Sequence, residues 1–191
     1  MLQKRQEERC KDLIKMQTIY LTQPSESYAS QVMDIRKEML ASGDGFDGCG
    51  GLEDTESFEE WMNFEKRLRL KYKRGYVPSR IYLAVRKEDG KVVGIIDYRS
   101  PLTEFLLKYG GNIGYSVRPS ERGKGYAAEM LRLILPICRD TGEKRVLVTC
   151  DKDNVASRKS IVKNGGVLEN EIQDVSDLSN CGVIQRFWIR L

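Results

Sequence analysis

"SERGKGYAAEML", Ser120–Leu131, sets an arginine, two glycines and a lysine directly before an apolar run with helical spacing. Glycine weakens a helix interior by roughly 1 kcal/mol relative to alanine, so a pair of them at a helix entrance needs a reason. One reading is a plain turn. The other is a backbone that something must approach closely. A loop entering a helix presents unpaired N–H groups at the positive end of the helix dipole, which suits a phosphate. Gly123 and Gly125 would bare that backbone, and Arg122 and Lys124 would add positive charge. "GKGYAA" is not GxGxxG, and no GxxxxGK followed by Ser or Thr occurs. A Rossmann domain is further disfavoured because the loop lies two-thirds along the chain, behind antiparallel strand signals.

Working outward, "NIGYSV" (Asn112–Val117) reads as the strand before the loop. After it, Ala127, Met130, Leu131, Ile134, Leu135 and Cys138 share one helical face, and Pro136 is expected to kink or end that helix early. "RVLVTC" (Arg145–Cys150) is a Val-rich strand of the buried kind. "NVASRKSIVKNGG" is a short helix started by Asn154 and stopped by Gly165, and "VLENEI" with "QRFWIRL" closes the chain as an antiparallel pair. Upstream, "DLIKMQTIYL" (Asp12–Leu21) alternates as a half-buried strand would. Pro24 and Ser25 open a helix carrying Tyr28, Val32, Ile35 and Met39. A glycine-rich loop follows, and Ser57 with Glu60 forms a capping box for a helix with Phe58, Trp61, Met62, Leu68 and Tyr72. "RIYLAV" and "KVVGIIDYR" around Asp89–Gly90 read as a hairpin. There are no repeats or linkers, so 1–191 is expected to be one domain, with 1–11 a frayed or helical extension.

Composition narrows the chemistry. With 191 residues, 40% hydrophobic and 31% charged, the chain reads as an ordinary soluble globular protein. No apolar run approaches the roughly 20 residues of a membrane span, and the charged start "MLQKRQEERCKD" lacks a signal peptide's apolar stretch. Five cysteines without CxxC spacing argue against a disulfide framework or a zinc cluster, so the cytoplasm is the expected compartment and no metal is expected. Histidine is absent, which leaves catalysis to carboxylates, Tyr, Ser, Cys, water or backbone. A net charge of +4 is too mild to predict nucleic-acid binding. The run "EKRLRLKYKR" (Glu65–Arg74) reads as the solvated face of a helix.

Arg122-Gly-Lys-Gly125-Tyr-Ala127 resembles the R/Q-x-x-G-x-G/A signature of the GCN5-related N-acetyltransferase (GNAT) superfamily. The strand-to-loop sequence "GYSVRPSERG" and the later "DNVASRKSIVKNGG" resemble the family's strand ending and its Asn-led helix. "GGNIGYSVRPSERGKGYA" with "CDKDNVASRKSIVKNGGVLEN" is similar to a bacterial branch of predicted acetyltransferases. The motifs cover Asn112–Gly166, and the element order matches from about Asp12 onward.

The resemblance implies an α+β fold: a strongly twisted mixed sheet of about six to seven strands, helices on both faces, and a V-shaped opening between Asn112–Val117 and Arg145–Cys150. It implies that the amides of Gly123, Lys124, Gly125, Tyr126 and Ala127, with Arg122, cradle the pyrophosphate of acetyl-coenzyme A. The pantetheine arm would lie beside Ser116 and Val117 as a pseudo-strand, with backbone N–H near Val117 polarising the thioester. The reaction implied is direct attack of a primary amine on the thioester, the acceptor being a small molecule or a peptide. A non-catalytic acyl-CoA sensor or scaffold is the alternative, and an RNA-associated factor a weaker third. The oligomeric state is not set by the sequence, a homodimer included.

For the leaving thiolate, Ile161 occupies the place of the tyrosine that many relatives use, and Ser157 is the matching hydroxyl. Asn154 is a cofactor contact, a helix cap, or both. Cys150, in an apolar strand, reads as a buried thiol. Asp97, Tyr98, Glu104 and Tyr115 are candidates for the base. Because a strand alternates its faces, only one of Asp97 and Tyr98 should reach the groove. The resemblance implies that the loop Gly43–Gly51, between the first two helices, shapes the acceptor site, with Asp44 and Asp47 attracting a cationic amine.

Overall fold

The computed structural model describes residues 17–70, 77–175 and 181–191. The 1–11 extension, the start of the Asp12–Leu21 strand, Tyr72 and the end of the Glu65–Arg74 run lie outside the described residues. In chain order the elements are β1 (Ile19–Thr22), α1 (Ala29–Ser42), α2 (Phe58–Leu70), β2 (Ser79–Arg86), β3 (Val92–Arg99), β4 (Ile113–Val117), α3 (Tyr126–Asp140), β5 (Arg145–Asp151), α4 (Val155–Lys163), β6 (Val167–Gln173) and β7 (Val183–Arg190). The class is α+β, as the resemblance implied. The strands form two antiparallel sheets, ordered β1-β2-β3-β4 and β5-β7-β6.

Period-two alternation in β2 sorts the core into two layers. Ile81, Leu83 and Val85 pack with Val32, Ile35 and Met39 of α1 and Phe58 and Trp61 of α2. Ala84 points the other way, into a cluster with Met130, Leu131, Ile134 and Cys138 of α3. That second cluster takes Val93 and Ile96 from the first sheet and Val146, Val148 and Phe187 from the second. Helix α3 therefore bridges both sheets from one side.

This packing also decides the fate of Pro136. The expected early stop does not occur: α3 continues through Pro136 to Asp140. A proline inside a helix costs about 3 kcal/mol. The fully buried Ile134 and Cys138 on either side of it anchor the last turns and outweigh that loss. The helix start at Ser57 follows expectation, with the Glu60 amide donating to Ser57 Oγ at 3.1 Å. The Glu60 carboxylate instead accepts from the Glu56 amide at 2.9 Å, one residue before the reciprocal partner.

The two sheets meet at β4 and β5, where Asn112 ties them by hydrogen bonds. The Asn112 amide donates to Leu147 O at 2.7 Å, and Asn112 Oδ1 accepts from Leu147 N at 2.8 Å. Its Nδ2 donates to Arg99 O at 2.9 Å, so one buried side chain ties β3 and β5 together. From Ile113 onward β4 has no ladder with β5. Replacing Asn112 by Ala leaves a buried donor on Leu147 and a buried acceptor on Arg99 without partners. Each such group costs roughly 1–3 kcal/mol, so urea denaturation of Asn112→Ala should show a loss of about 3 kcal/mol. An unchanged midpoint would mean that the stitch carries no stability.

Candidate active site

The register of the two sheets leaves both facing strands with open edges. Arg99 N bonds Asn112 O and Arg118 N bonds Val93 O, which fixes the alternation along β3–β4. In an antiparallel ladder alternate residues bond to the partner strand and the others turn away. The N–H and C=O groups of Ile113, Tyr115 and Val117 consequently point to the β5 side. On β5, Leu191 N bonds Lys144 O and Lys152 N bonds Val183 O. The backbone groups of Leu147, Thr149 and Asp151 therefore face β4. Asn112 uses those of Leu147, the Asp151 carbonyl accepts from Asn154 N, and those of Thr149 line a gap across which no ladder forms.

At the far end of β4 lies the glycine loop. Gly123 and Gly125 have φ of 78° and 85°, in the left-handed region that favours glycine. Nothing lies within 4 Å of a Cβ built at either, so the loop's outer surface is bare. Among the described residues, the amides of Gly123 through Ala128 have no hydrogen-bond acceptor. They converge at the N-terminus of the fifteen-residue α3, the condition that favours an anion. The two cations of the loop are paired. Arg122 Nη1 meets Asp44 Oδ1 at 2.9 Å, its Nε donates to Val117 O at 3.3 Å, and Lys124 Nζ meets Glu121 Oε2 at 2.7 Å.

Glu121 is a residue that the sequence did not single out. Its side chain is 4% exposed, covered by Lys124, by Lys91 Nζ at 2.6 Å and by Arg86 Nη1 at 2.8 Å. Hydrogen bonds from Lys124 and Lys91 pull its carboxyl down to about 2. A second tie secures the same region to α1: Arg118 Nε donates to Glu38 Oε1 at 2.7 Å, and the Ser120 amide donates to Glu38 Oε2 at 3.2 Å.

Inside the gap the sequence candidates Tyr115 and Ser157 come together. Tyr115 Oη lies 2.9 Å from Ser157 Oγ, joining β4 to the first turn of α4. Burial pushes the Tyr115 phenol up to about 12, so it is protonated at neutral pH. Asn154 caps α4, its Oδ1 accepting from the Ser157 amide at 2.9 Å, which fixes where the serine sits. Cys150 is beside them, its thiol pushed up to about 11 by burial. Ile161 is fully buried in the core and faces no groove.

The other candidates divide by strand face. Tyr98 turns to α3, its hydroxyl 2.7 Å from Thr141 Oγ1. Asp97 turns to the opposite side, where Oδ1 accepts from Gly114 N at 3.0 Å and Oδ2 from Ser79 Oγ at 3.4 Å, with Arg99 Nε at 3.3 Å. Burial raises its carboxyl above the ordinary range, against the pull of Arg99. The loop Gly43–Gly51 folds over β4. Gly48 has φ 72°, and a Cβ there would sit 2.2 Å from Gly114 backbone, so only glycine lets the two main chains touch. Ser116 Oγ donates to Asp47 O at 2.8 Å. The Asp47 carboxyl is raised by desolvation and by the charges of Asp151 and Asp97, with Arg99 opposing. Asp44 pairs with Arg122 of the glycine loop, and Glu104 is exposed just before Leu106. Among the described residues no group of three or more His, Cys, Asp or Glu could hold a metal, and no helix is long and apolar enough to cross a membrane.

A bare loop at a helix N-terminus thus lies at the end of a gap between two strand edges. The family model of the acetyltransferase (GNAT) domain matches residues 19–167, and the chain belongs to that family. Solved structures of the same fold include an acetyltransferase from Salmonella typhimurium that modifies the N-terminal serine of a ribosomal protein. It is 19% identical, covers 91% of this chain and 95% of its own, and has a TM-score of 0.63. The microcin self-immunity acetyltransferase MccE, solved with acetyl-CoA and AMP, is 17% identical over 91% of this chain and 93% of its own, with a TM-score of 0.64. Mycobacterium smegmatis RimJ, solved with CoA disulfide, is 19% identical over 89% and 80%, with a TM-score of 0.67. No curated protein matches the sequence.

The Glu121 cluster makes a testable contribution to stability. A carboxyl whose folded value lies near 2, below its ordinary 4.5, stabilises the fold above 4.5, and that contribution is lost as pH falls toward 2. Denaturation of wild type and Glu121→Gln across this range should show the difference between them shrinking with acidification. A difference that stays constant would show that the carboxylate charge adds nothing.

Proposed function

We propose that the protein is an acetyl-CoA-dependent N-acetyltransferase that passes the acetyl group to a primary amine by direct attack. The observation that carries this reading is the doubled open edge of β4 and β5 leading to the unpaired amides of Gly123–Ala127. A pantetheine arm carries amide donors and acceptors of its own, and fits between two strand edges as a further strand would. Arg122, with the Gly123, Lys124, Gly125, Tyr126 and Ala127 backbone, would take the diphosphate, and Ser116 and Val117 would flank the arm. Asn154 would meet it from the cap of α4.

Val117 N–H faces the gap and would polarise the thioester carbonyl, holding the oxyanion as the amine nitrogen bonds to the carbonyl carbon. As the C–S bond breaks, the sulfur takes a proton from the Ser157–Tyr115 hydroxyl pair. The 2.9 Å contact between them supports this assignment, because either hydroxyl can relay the proton to the other. The amine proton is assigned to Asp97, directly or through water. Burial raises the basicity of that carboxylate, and the charge of Asp47 nearby favours a cationic acceptor. A cytoplasmic setting suits this chemistry, and no disulfide joins the described cysteines.

Release of free CoA, followed with acetyl-CoA and a panel of amines, polyamines, aminoglycosides and peptide N-termini, tests the reading. Ser157→Ala should lower kcat by the low end of a general acid's roughly 10²–10⁴-fold, with KM for acetyl-CoA near normal. Full turnover in that variant would leave the serine a helix residue only. Gly125→Glu puts a side chain and a negative charge where the diphosphate would sit, in a backbone conformation that strains any side chain. Calorimetry should find CoA binding lost in the folded variant, and retained affinity would refute the placement.

A further inference from the structure

Arg86 of β2 lies outside the gap, yet it reaches both ends of the glycine loop. Its Nη1 is 2.8 Å from Glu121 Oε2 and 3.3 Å from the Tyr126 hydroxyl, the residues immediately before and after Arg122–Gly125. Its other nitrogens are locked by Asp89, Nε to Oδ1 at 2.8 Å and Nη2 to Oδ2 at 2.6 Å, so the guanidinium is fixed on the β2–β3 turn. Glu121 in turn collects Lys91 from that turn and Lys124 from the loop's centre. Both residues are buried, 3% and 8% exposed, so their side chains hold the loop from within while the Tyr126 amide remains at the helix N-terminus.

From this we infer that Arg86 and Glu121 are positioning residues for the diphosphate loop. The planar guanidinium braces the loop's two ends at fixed separation, and Glu121 ties down Lys124 between them, so the amides of Gly123–Ala127 converge before any ligand arrives. A preformed site avoids the ordering cost that a floppy loop would meet on binding. Lysine cannot replace arginine here, because a single ammonium does not offer a rigid fork to three acceptors. The inference rests on the acyl-CoA reading of the loop.

Charge alone predicts the opposite effect of mutation, which makes the test sharp. Glu121→Gln removes a negative charge from beside an anion site and releases cations toward it, so simple electrostatics expects tighter binding. The brace expects weaker binding. Equilibrium dissociation constants would be measured by calorimetry for CoA and for its phosphoadenosine diphosphate half, which lacks pantetheine. In Glu121→Gln and in Arg86→Lys both constants should rise on the order of ten-fold, and Glu121→Asp, which keeps the charge, should recover part of the loss. Unchanged or tighter binding in the folded variants overturns the brace. So does a loss confined to CoA, because the damage would then lie along the pantetheine gap. Should Glu121→Gln fail to fold, Arg86→Lys decides alone. A wild type that binds neither ligand overturns the acyl-CoA reading and the brace with it, whereas indistinguishable constants across binding-competent proteins overturn the brace only.

Discussion

Two hydrogen bonds between Asn112 and Leu147 set the geometry on which the rest depends. They bring β4 and β5 to hydrogen-bonding distance at one point and leave the strands free to diverge beyond it. Strand edges without a ladder partner, as at Tyr115 and Thr149, would ordinarily be costly, because backbone polar groups demand partners. Here the cost is tolerated because α3 packs across both sheets from one side and holds them in register. Its Met130, Leu131 and Ile134 sit against Ala84 and Ile96 of one sheet and Val146 and Val148 of the other. The gap is thus a consequence of packing on one face, and it supplies the groups that an extended ligand needs.

The same helix links the gap to the glycine loop. Because α3 begins where β4's extension ends, its N-terminal amides open at the mouth of the gap, one loop away from Val117. The loop itself is held from three directions: by Arg86 beneath, by Glu38 through Arg118 and Ser120, and by Asp44 through Arg122. Asp44 begins the segment that carries Asp47 over β4, so one short stretch of chain touches both the glycine loop and β4.

Much of this was legible in the sequence, and the limits have physical causes. The glycine loop, the flanking strands and the Asn154 cap could be read because each is a local rule: left-handed backbone, period-two alternation, an amide satisfied by its own neighbour. Pro136 misled because a local propensity was outweighed by burial that only the tertiary fold reveals. Tyr115 and Ser157 were both candidates, but their meeting across the gap depends on the divergence of β4 and β5, which no local pattern encodes. Glu121 and Arg86 stand 35 residues apart and look like ordinary surface charges in isolation. Asn112 read as the first residue of a strand, and its second role exists only where β5 passes.

The central claim is that the open edges and the bare loop form one binding surface for an acyl-CoA. Amide hydrogen exchange with and without CoA tests it most directly, since it reports the backbone groups themselves. The account predicts slower exchange in two stretches on CoA addition, β4 (Ile113–Val117) and the loop with the start of α3 (Gly123–Ala128), while the outer strand β6 (Val167–Gln173) is unaffected. Unaltered exchange in both stretches, or protection confined to β6 and β7, would contradict it.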